Sequence, residues 1–530
     1  MSAPSAPTPP ARTARRVLPW VAILYFSEGL PLGLFFDLFP VHMRQGGVSP
    51  ADIGLLSLLG LAWTVKFLWA PLVDAVRRHR AWVAGANLGM AAVLAALALH
   101  PEAVASNASW PWFLLAAFTV LSATNDIATD GYTIELLSRD QMGVANGIRI
   151  GFYRVGMLAA GGVLLAADLL GTPGHPAWAA AYGLAALLQV GNAVALSLAP
   201  ALPERSASLP AAPSAASPAA SPAAAPVSPA EQGPGSWAVL RTQPVWLLAL
   251  GLMLAGLLWP VLGTVAKWSQ APFWAPVLAV AGTWWFKGAI PVGLMFAGAG
   301  LMVRAARRPE ATQLAASPVV GAWVELLSRP GMLAVLLFIL TFKLGDAAMG
   351  FMVKPFWVDA GFTPGQIGLV SVNVGLGLSI AGGLAGGWFV DRHGIYKGLW
   401  VLGLAQAASN LGYAAAAWWV PHAAPGQVAP VYQAAVYAAS GLESFTGGLG
   451  TGAFMAFLMA ITSKQRATTE YAILSSIFAF SRAVAGWAGG LGVEQIGYAA
   501  FFFLTFWLSF PAYALLPNVR RMLTASEEPR

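Results

Sequence analysis

Long apolar runs separated by short polar breaks dominate this chain. An apolar stretch of more than ~18 residues is long enough to cross a bilayer as a helix. Fourteen such stretches can be drawn. Six come first, at about 17–42, 51–74, 81–100, 110–136, 142–168 and 177–200. A tract rich in Pro, Ala and Ser then runs from Pro203 to Ser236; it has nothing with which to build a core and reads as a linker. Two further stretches, about 237–264 and 271–303, make a hairpin. A short basic segment leads to the last six, about 330–357, 365–390, 396–420, 429–462, 468–493 and 497–517. Barrel strands are excluded, because they are ~10 residues long and alternate in polarity.

Composition agrees. Charged residues make up 10% of the 530-residue chain and hydrophobic ones 58%. A soluble domain carries ~25% charge, so a soluble globular protein and a disordered chain are both excluded. There are no cysteines, which removes disulfides, thiolate metal sites and cysteine nucleophiles. The six histidines lie in or beside polar breaks and are not paired at helical spacing, so no metal site is expected. No phosphate-binding G-x-x-x-x-G-K-[ST] loop is present, so an ATP-driven pump has no support and no cofactor is expected. The first run reads as a membrane helix and not as a cleaved signal, because it holds Glu28 and Asp37 and no small-residue cleavage site follows.

The net charge of +7 raises the question of nucleic acid. The placement of the charges answers it. With the N-terminus inside, the cytoplasmic segments hold 20 Lys and Arg residues and the external segments only Arg44 and Lys267. That asymmetry predicts cytoplasmic termini and assigns the charges to topology; nucleic acid is not an expected partner.

The chain also repeats internally. Ile53-Gly54-Leu55 opens the second predicted helix, which ends at Asp74 before Arg77-Arg78. Ile367-Gly368-Leu369 opens the helix that ends at Asp391-Arg392, at an offset of 314. Tyr153-Arg154 precedes Gly161-Gly162 as Ser481-Arg482 precedes Gly489-Gly490, at an offset of 328. Two parallel six-helix repeats are the layout of the major facilitator superfamily. The predicted fold is therefore an all-α membrane protein of that superfamily with a central two-helix insertion. Its parts are a first half at 1–200, a linker at 201–236, the hairpin at 237–303, a basic connector at 304–329, a second half at 330–520 and a tail at 521–530.

Charge inside a bilayer costs ~2.5–3.5 kcal/mol on insertion scales and so requires a partner, a watery path or a function. Fifteen charged residues fall inside the predicted helices: Glu28, Asp37, Lys66, Asp126, Asp130, Glu135, Arg149, Arg154, Lys287, Lys343, Asp346, Lys354, Glu443, Glu470 and Arg482. The sharpest cluster is Ser122-Ala-Thr-Asn125-Asp126-Ile-Ala-Thr129-Asp130-Gly131-Tyr132. Asp126 and Asp130 stand at i and i+4 and share a helix face, which suits a site that carries a proton. The structural alternative is pairing with Arg149 or Arg154 of the next helix. Lys343 and Asp346 stand at i and i+3; they either serve the transport path or neutralise each other. Glu28 lies beside a Gly29-Leu-Pro31 interruption in the first helix, as the lysine and aspartate lie early in the second half. Arg154 and Arg482 hold equivalent repeat positions; either clamps an anionic group in a cavity or joins helices through a salt bridge. Tyr132 completes the set of candidate cavity residues. Asp74, Arg77, Arg78, Asp391 and Arg392 are read as gating or topology residues.

These residues resemble those of the AmpG-type muropeptide permeases, in the peptide/acetyl-coenzyme A transporter branch of the major facilitator superfamily. The matching segments are Phe26-Ser-Glu-Gly-Leu-Pro-Leu32, Ile53-Gly-Leu-Leu-Ser57, Lys66-Phe-Leu-Trp-Ala-Pro-Leu72 with Asp74, Ser122 to Asp130, Tyr153-Arg-Val-Gly-Met157, Lys343-Leu-Gly-Asp346, Ala408 to Tyr413 and Gly447-Gly-Leu-Gly-Thr451. The central hairpin, Glu28 and the Tyr132-Thr133 pair depart from that pattern. The resemblance implies proton-driven import of anhydromuropeptides for cell-wall recycling, by a monomer in the lipid of an inner membrane. Its partners would be protons and a small sugar-peptide. The branch also carries acetyl-coenzyme A and siderophore-like solutes, so another solute of that kind is the alternative substrate. A membrane acyl- or glycosyltransferase would need a catalytic His or paired acids at a membrane surface, and the isolated histidines do not supply one.

Overall fold

A computed structural model describes residues 12–66, 69–70, 73, 76, 78–136, 142–172, 174–200, 244–269, 271–281, 283, 285–308, 324–462 and 467–527. Among these the chain is almost wholly helical, with one isolated bridge between Thr172 and His175. The first half comprises α1 (Arg12–Gly33), α2 (Phe39–Gln45), α3 (Pro50–Leu59), α4 (Leu61–Val65), α5 (His79–Leu99), α6 (Pro101–Ala105), α7 (Ser109–Leu136), α8 (Met142–Leu169) and α9 (Trp178–Ser197). The hairpin region holds α10 (Pro244–Ser269), α11 (Ala275–Val280) and α12 (Ile290–Ala306). The second half comprises α13 (Met332–Phe342), α14 (Leu344–Asp359), α15 (Pro364–Gln366), α16 (Gly375–His393), α17 (Ile395–Trp419), α18 (Pro430–Ile461), α19 (Ala467–Leu508) and α20 (Phe510–Glu527). This is a multi-pass membrane architecture.

Nine helical runs among the described residues are long and apolar enough to span a bilayer, and three shorter apolar helices accompany them. Length and apolarity alone do not fix the number of spans. One run, Ile473–Thr524, contains two of the predicted stretches. They are two helices that meet at a kink at Gly497, whose φ of 75° only glycine adopts easily. The second predicted helix is helical over Pro50–Val65, and part of its continuation lies outside the described residues.

The chain divides into two compact units, Met1–Ala199 with Pro260–Gly288 and Pro330–Arg530, and Pro200–Trp259 with Ala289–Arg329. Within the smaller unit α10 and α12 pack through glycines. A Cβ on Gly256 would lie 2.6 Å from the Pro291 carbonyl oxygen, and one on Gly298 would lie 2.6 Å from that of Ala249. Small residues at such crossings let helix backbones meet where no hydrophobic force drives them together.

In the larger unit the repeat shows as matched chemistry. Ser49 caps α3 by accepting from the Asp52 N–H at 3.1 Å, and Thr363 caps α15 by accepting from the Gln366 N–H at 3.2 Å. Each cap is followed by Pro at the first helical position, where the missing N–H costs nothing. The repeated glycines then meet the opposite half. A Cβ on Gly54 would come within 3.0 Å of the Gly490 Cα, and one on Gly368 would strike the carbonyl oxygen of Gly161. Nearby, the Ser57 hydroxyl donates to the Ala483 carbonyl at 2.6 Å.

Charge completes this seam. The Arg44 guanidinium donates two bonds to the Asp359 carboxylate, at 2.6 and 2.7 Å, and a third to the Val48 carbonyl at 2.9 Å. Lys354 lies 3.4 Å from Asp37, which sits in the π-helical turn Leu34–Leu38 between α1 and α2. That turn falls between Pro31 and Pro40, where missing or blocked backbone hydrogen bonds loosen the helix. All these contacts between halves lie toward the ends that the basic-residue asymmetry assigns to the outside.

The seam yields the first prediction. The chain lacks cysteine, so spin labels at Ser106→Cys and Gln427→Cys report the external spacing without background. Gly368→Val should lengthen that distance in electron-spin distance measurements. An unchanged distribution would show that the glycine contact does not hold the halves closed.

Candidate functional site

Helix α7 is positioned by polar contacts within the membrane. Asn87 of α5 donates to Asn125 at 2.9 Å, and Asn125 donates to the Ser27 carbonyl of α1 at 3.2 Å. These bonds set the rotation of α7 and with it the direction of its two aspartates. The aspartates take separate partners. Lys66, just past α4, reaches Asp126 at 2.8 Å. Trp69 holds the same segment against α7 by donating to Thr124 at 3.1 Å. Arg149 of α8 reaches Asp130 at 2.8 Å, and Tyr25 of α1 donates its hydroxyl to the same oxygen at 2.8 Å. The guanidinium also lies 4.7 Å from the centre of the Tyr25 ring.

Glu28 is one turn beyond Tyr25 on α1. It lies within electrostatic reach of Asp126, Asp130 and Lys66, and its Oε2 is buried without a hydrogen-bond partner. The following residue, Gly29, presses directly on the Tyr153 carbonyl of α8, so a larger residue would push α8 and its arginines away. The cluster therefore gathers three carboxylates against two contacting cations. In a low-dielectric setting the surplus negative charge is relieved by a bound proton or a cationic ligand group.

The second half carries its own cluster. The helix breaks at Lys343, between α13 and α14. Its ammonium donates to the Thr451 hydroxyl at 2.5 Å and the Gly447 carbonyl at 3.4 Å, and lies 3.4 Å from Asp346. Lys343 and Asp346 do pair, with α18 as a third participant. Glu443 of α18 lies within electrostatic reach of both.

The two repeat-related arginines differ from the rest: among the described residues neither forms an ion pair. Arg482 is exposed and lies 5.7 Å from the Phe36 ring centre and 5.9 Å from that of Phe478. Arg154 is half-buried, and both arginines act electrostatically on Tyr153. Of the anticipated alternatives for α7, pairing through Arg149 is present and pairing through Arg154 is not. Tyr132 is buried and its nearest electrostatic partner is Arg80, not the carboxylates. Arg78, Asp391 and Arg392 are exposed at helix ends, with Arg392 5.8 Å from the Trp388 ring centre. Asp74 and Arg77 lie outside the described residues.

Comparison with known proteins follows the geometry. The profile of the family described as acetyl-coenzyme A transporter 1 matches residues 18–112. The anhydromuropeptide permease of Escherichia coli K12 is 25% identical over 510 residues, covering 94% of this chain and 79% of its own length. A transporter designated AmpG 4 of Rickettsia conorii is 23% identical, covering 94% of each chain. The chain is similar to these AmpG permeases over nearly all of its length. Among solved structures, the POT-family transporter PepTSo superposes with a TM-score of 0.61 at 13% identity, covering 98% of this chain and 99% of its own. That likeness establishes the major facilitator fold.

Along this AmpG-like chain, sequence reading missed three participants. Tyr25 lies three residues before Glu28, the spacing that puts both on one face of α1, and that spacing was the available signal. Lys66 was visible as a membrane charge but its partner was not. Glu443 was visible in the same way, and only the packing of α18 gives it neighbours.

Removing one member of a paired cluster should reveal the charge left behind. Lys66→Met should destabilise the protein by about 1–3 kcal/mol, and adding Asp126→Leu should restore part of that loss. Thermal unfolding in detergent measures both; a double variant no more stable than the single one would contradict the pairing.

Proposed function

We propose that this chain is a proton-coupled, alternating-access permease of the cytoplasmic membrane that imports anhydromuropeptide-type sugar-peptides, with both termini inside. The coarser part of this reading, a membrane transporter, is supported by the AmpG likeness and the major facilitator fold. One observation carries the finer part: among the described residues Glu28, Asp126 and Asp130 meet only two contacting cations, Lys66 and Arg149. A structural ion-pair network has no use for an unmatched acid. A proton carrier does, because uptake and release of one proton change how firmly α1, α4 and α8 are held to α7.

In this mechanism a proton enters the Glu28, Asp126 and Asp130 group from the outside. Neutralisation weakens the holds of Lys66 and Arg149 and frees these cations for a substrate carboxylate. Arg154 and Arg482, from equivalent places in the two halves, supply guanidinium donors for the same anionic group. Substrate bound across both halves favours closure of the external seam, and loss of the proton to the cytoplasm restores the ion pairs. Proton binding and substrate binding are thereby linked through a shared set of charges. Asp346 and Lys343 line the second half of the path.

The match of residues 18–112 to the acetyl-coenzyme A transporter family favours a second reading, in which the free arginines take phosphate groups. Binding of labelled anhydromuropeptide against labelled acetyl-coenzyme A to purified protein separates the two. For the coupling step, Asp130→Asn should abolish pH-gradient-driven uptake into vesicles. Uptake that keeps its full dependence on the gradient in that variant would overturn the role of Asp130.

A further inference from the structure

We infer that the furrow between α17 and α20 binds an anionic phospholipid of the surrounding bilayer, with its phosphate on Arg520 and an acyl chain on the adjoining aromatic rings. The site is separate from the substrate and from proton coupling; it requires only that the chain lies in a membrane.

The end of α20 is built to present this arginine. Ala512, Leu516, Val519 and Leu523 are buried at helical spacing, so one face of α20 is sealed against the bundle. Arg520 flanks that face and is exposed. Its guanidinium lies 5.5 Å from the centre of the Tyr396 ring, in the first turn of α17. Stacking on a ring holds the cation in place and leaves its N–H groups to other partners. Among the described residues no carboxylate pairs with Arg520. Lys397, next to Tyr396, is exposed at the same end, which the basic-residue asymmetry assigns to the cytoplasm.

The furrow runs from that cation toward the membrane interior. Tyr513 and Arg520 are seven residues apart and share the flank of α20 that faces α17. As Arg520 meets Tyr396, so Tyr513 meets Trp400, one turn further along α17, with ring centres 6.3 Å apart. The Tyr513 hydroxyl donates to the Trp400 carbonyl at 3.4 Å. A Cβ on Gly403 would stand 2.8 Å from that hydroxyl oxygen, so the glycine lets Tyr513 settle between the helices as the floor of the furrow. The rings continue through Phe510, 5.8 Å from Tyr513, to Trp507, 5.4 Å from Phe510. Trp400 and Trp507 remain 48% and 52% exposed, so the protein itself covers only half of this aromatic surface.

A cation at the membrane surface that leads into a strip of open rings matches the two parts of an anionic lipid. The guanidinium offers two parallel N–H donors to phosphate oxygens. Tryptophan and tyrosine suit the headgroup level, where one end of the ring is apolar and the other wet. A soluble anion would use only the arginine. A zwitterionic lipid would bring its own cation beside Arg520 and Lys397. Charge complementarity therefore selects a phospholipid of net negative charge.

The test uses the full chain in neutral detergent, titrated with phosphatidylglycerol, phosphatidylcholine or inorganic phosphate. Native mass spectrometry counts bound lipid, and thermal unfolding reports its effect. Phosphatidylglycerol should stay bound and raise the unfolding temperature; the other two should not. Arg520→Gln should weaken phosphatidylglycerol binding about five-fold, the effect of one basic residue at an anionic membrane surface. Tyr396→Leu keeps the charge and removes the ring; it should weaken binding too, and gives a second reading if the first variant folds poorly. Arg308→Gln removes an exposed positive charge just past α12 and should leave binding unchanged. Equal binding of phosphatidylcholine, or an equal thermal effect of inorganic phosphate, would overturn the assignment to an anionic lipid. Unchanged binding in both Arg520→Gln and Tyr396→Leu, or the same loss in Arg308→Gln, would overturn the site.

Discussion

An ionised side chain in hydrocarbon is costly unless something meets it, and that single constraint explains most of what distinguishes this bundle from a stack of greasy helices. On insertion scales each membrane charge costs ~2.5–3.5 kcal/mol. The protein answers with specific contacts: Lys66 to Asp126 at 2.8 Å, Arg149 to Asp130 at 2.8 Å, Lys354 to Asp37 at 3.4 Å. Each of these ties one helix to another, so the charges that threaten insertion become the fasteners of the assembled state. The acids left without a matching cation and the arginines left without an acid are then the informative ones. In the proposed mechanism another species, proton or substrate, completes them for part of a cycle.

The two halves share a backbone plan and differ in their charges. Ser49 and Thr363 cap equivalent helices in the same way, and Gly54 and Gly368 each meet the opposite half through a backbone contact. The symmetry is thus carried by small residues and caps, which set distances. Charge breaks the symmetry: the first half puts its lysine after α4, the second puts it at the break before α14. A shared frame thus carries unlike charges in its two halves.

Much of this was legible in the chain, and the unread part has definite causes. Membrane helices announce themselves because each must be apolar over its whole length, and the repeat is visible because caps and glycines obey local rules. The Asp126 and Asp130 pair was legible for the same reason, since i and i+4 spacing fixes a shared face. Its partners were not. Lys66 lies 60 residues away from Asp126 in sequence, and nothing local says that α4 ends where its ammonium reaches α7. Glu443 is harder still: only the folded packing of α18 brings it within electrostatic reach of Asp346, Lys354 and Lys343. The boundary between the last two stretches was legible too, since the two helices meet at a kink at Gly497, a residue type that tolerates the positive φ.

The position of the contacts between halves also orders the cycle. Arg44 and Asp359 form a two-bond pair with side chains only 21% and 12% exposed, flanked by backbone-to-backbone glycine contacts. Such a pair is strong when formed and expensive to part, since separation leaves both ions partly desolvated. The seam is therefore closed by interactions that tolerate little intermediate opening. A seam of that kind behaves as a two-state element and not as an elastic one. Whatever opens it must offset the loss of several contacts at once; in the proposed mechanism a change of charge in the acids deeper in each half is the source, because α8 and α14 belong both to the seam and to the helices that carry or face those acids. On that proposal the stiffness of the seam and the unmatched acids in the interior are two parts of one coupling arrangement.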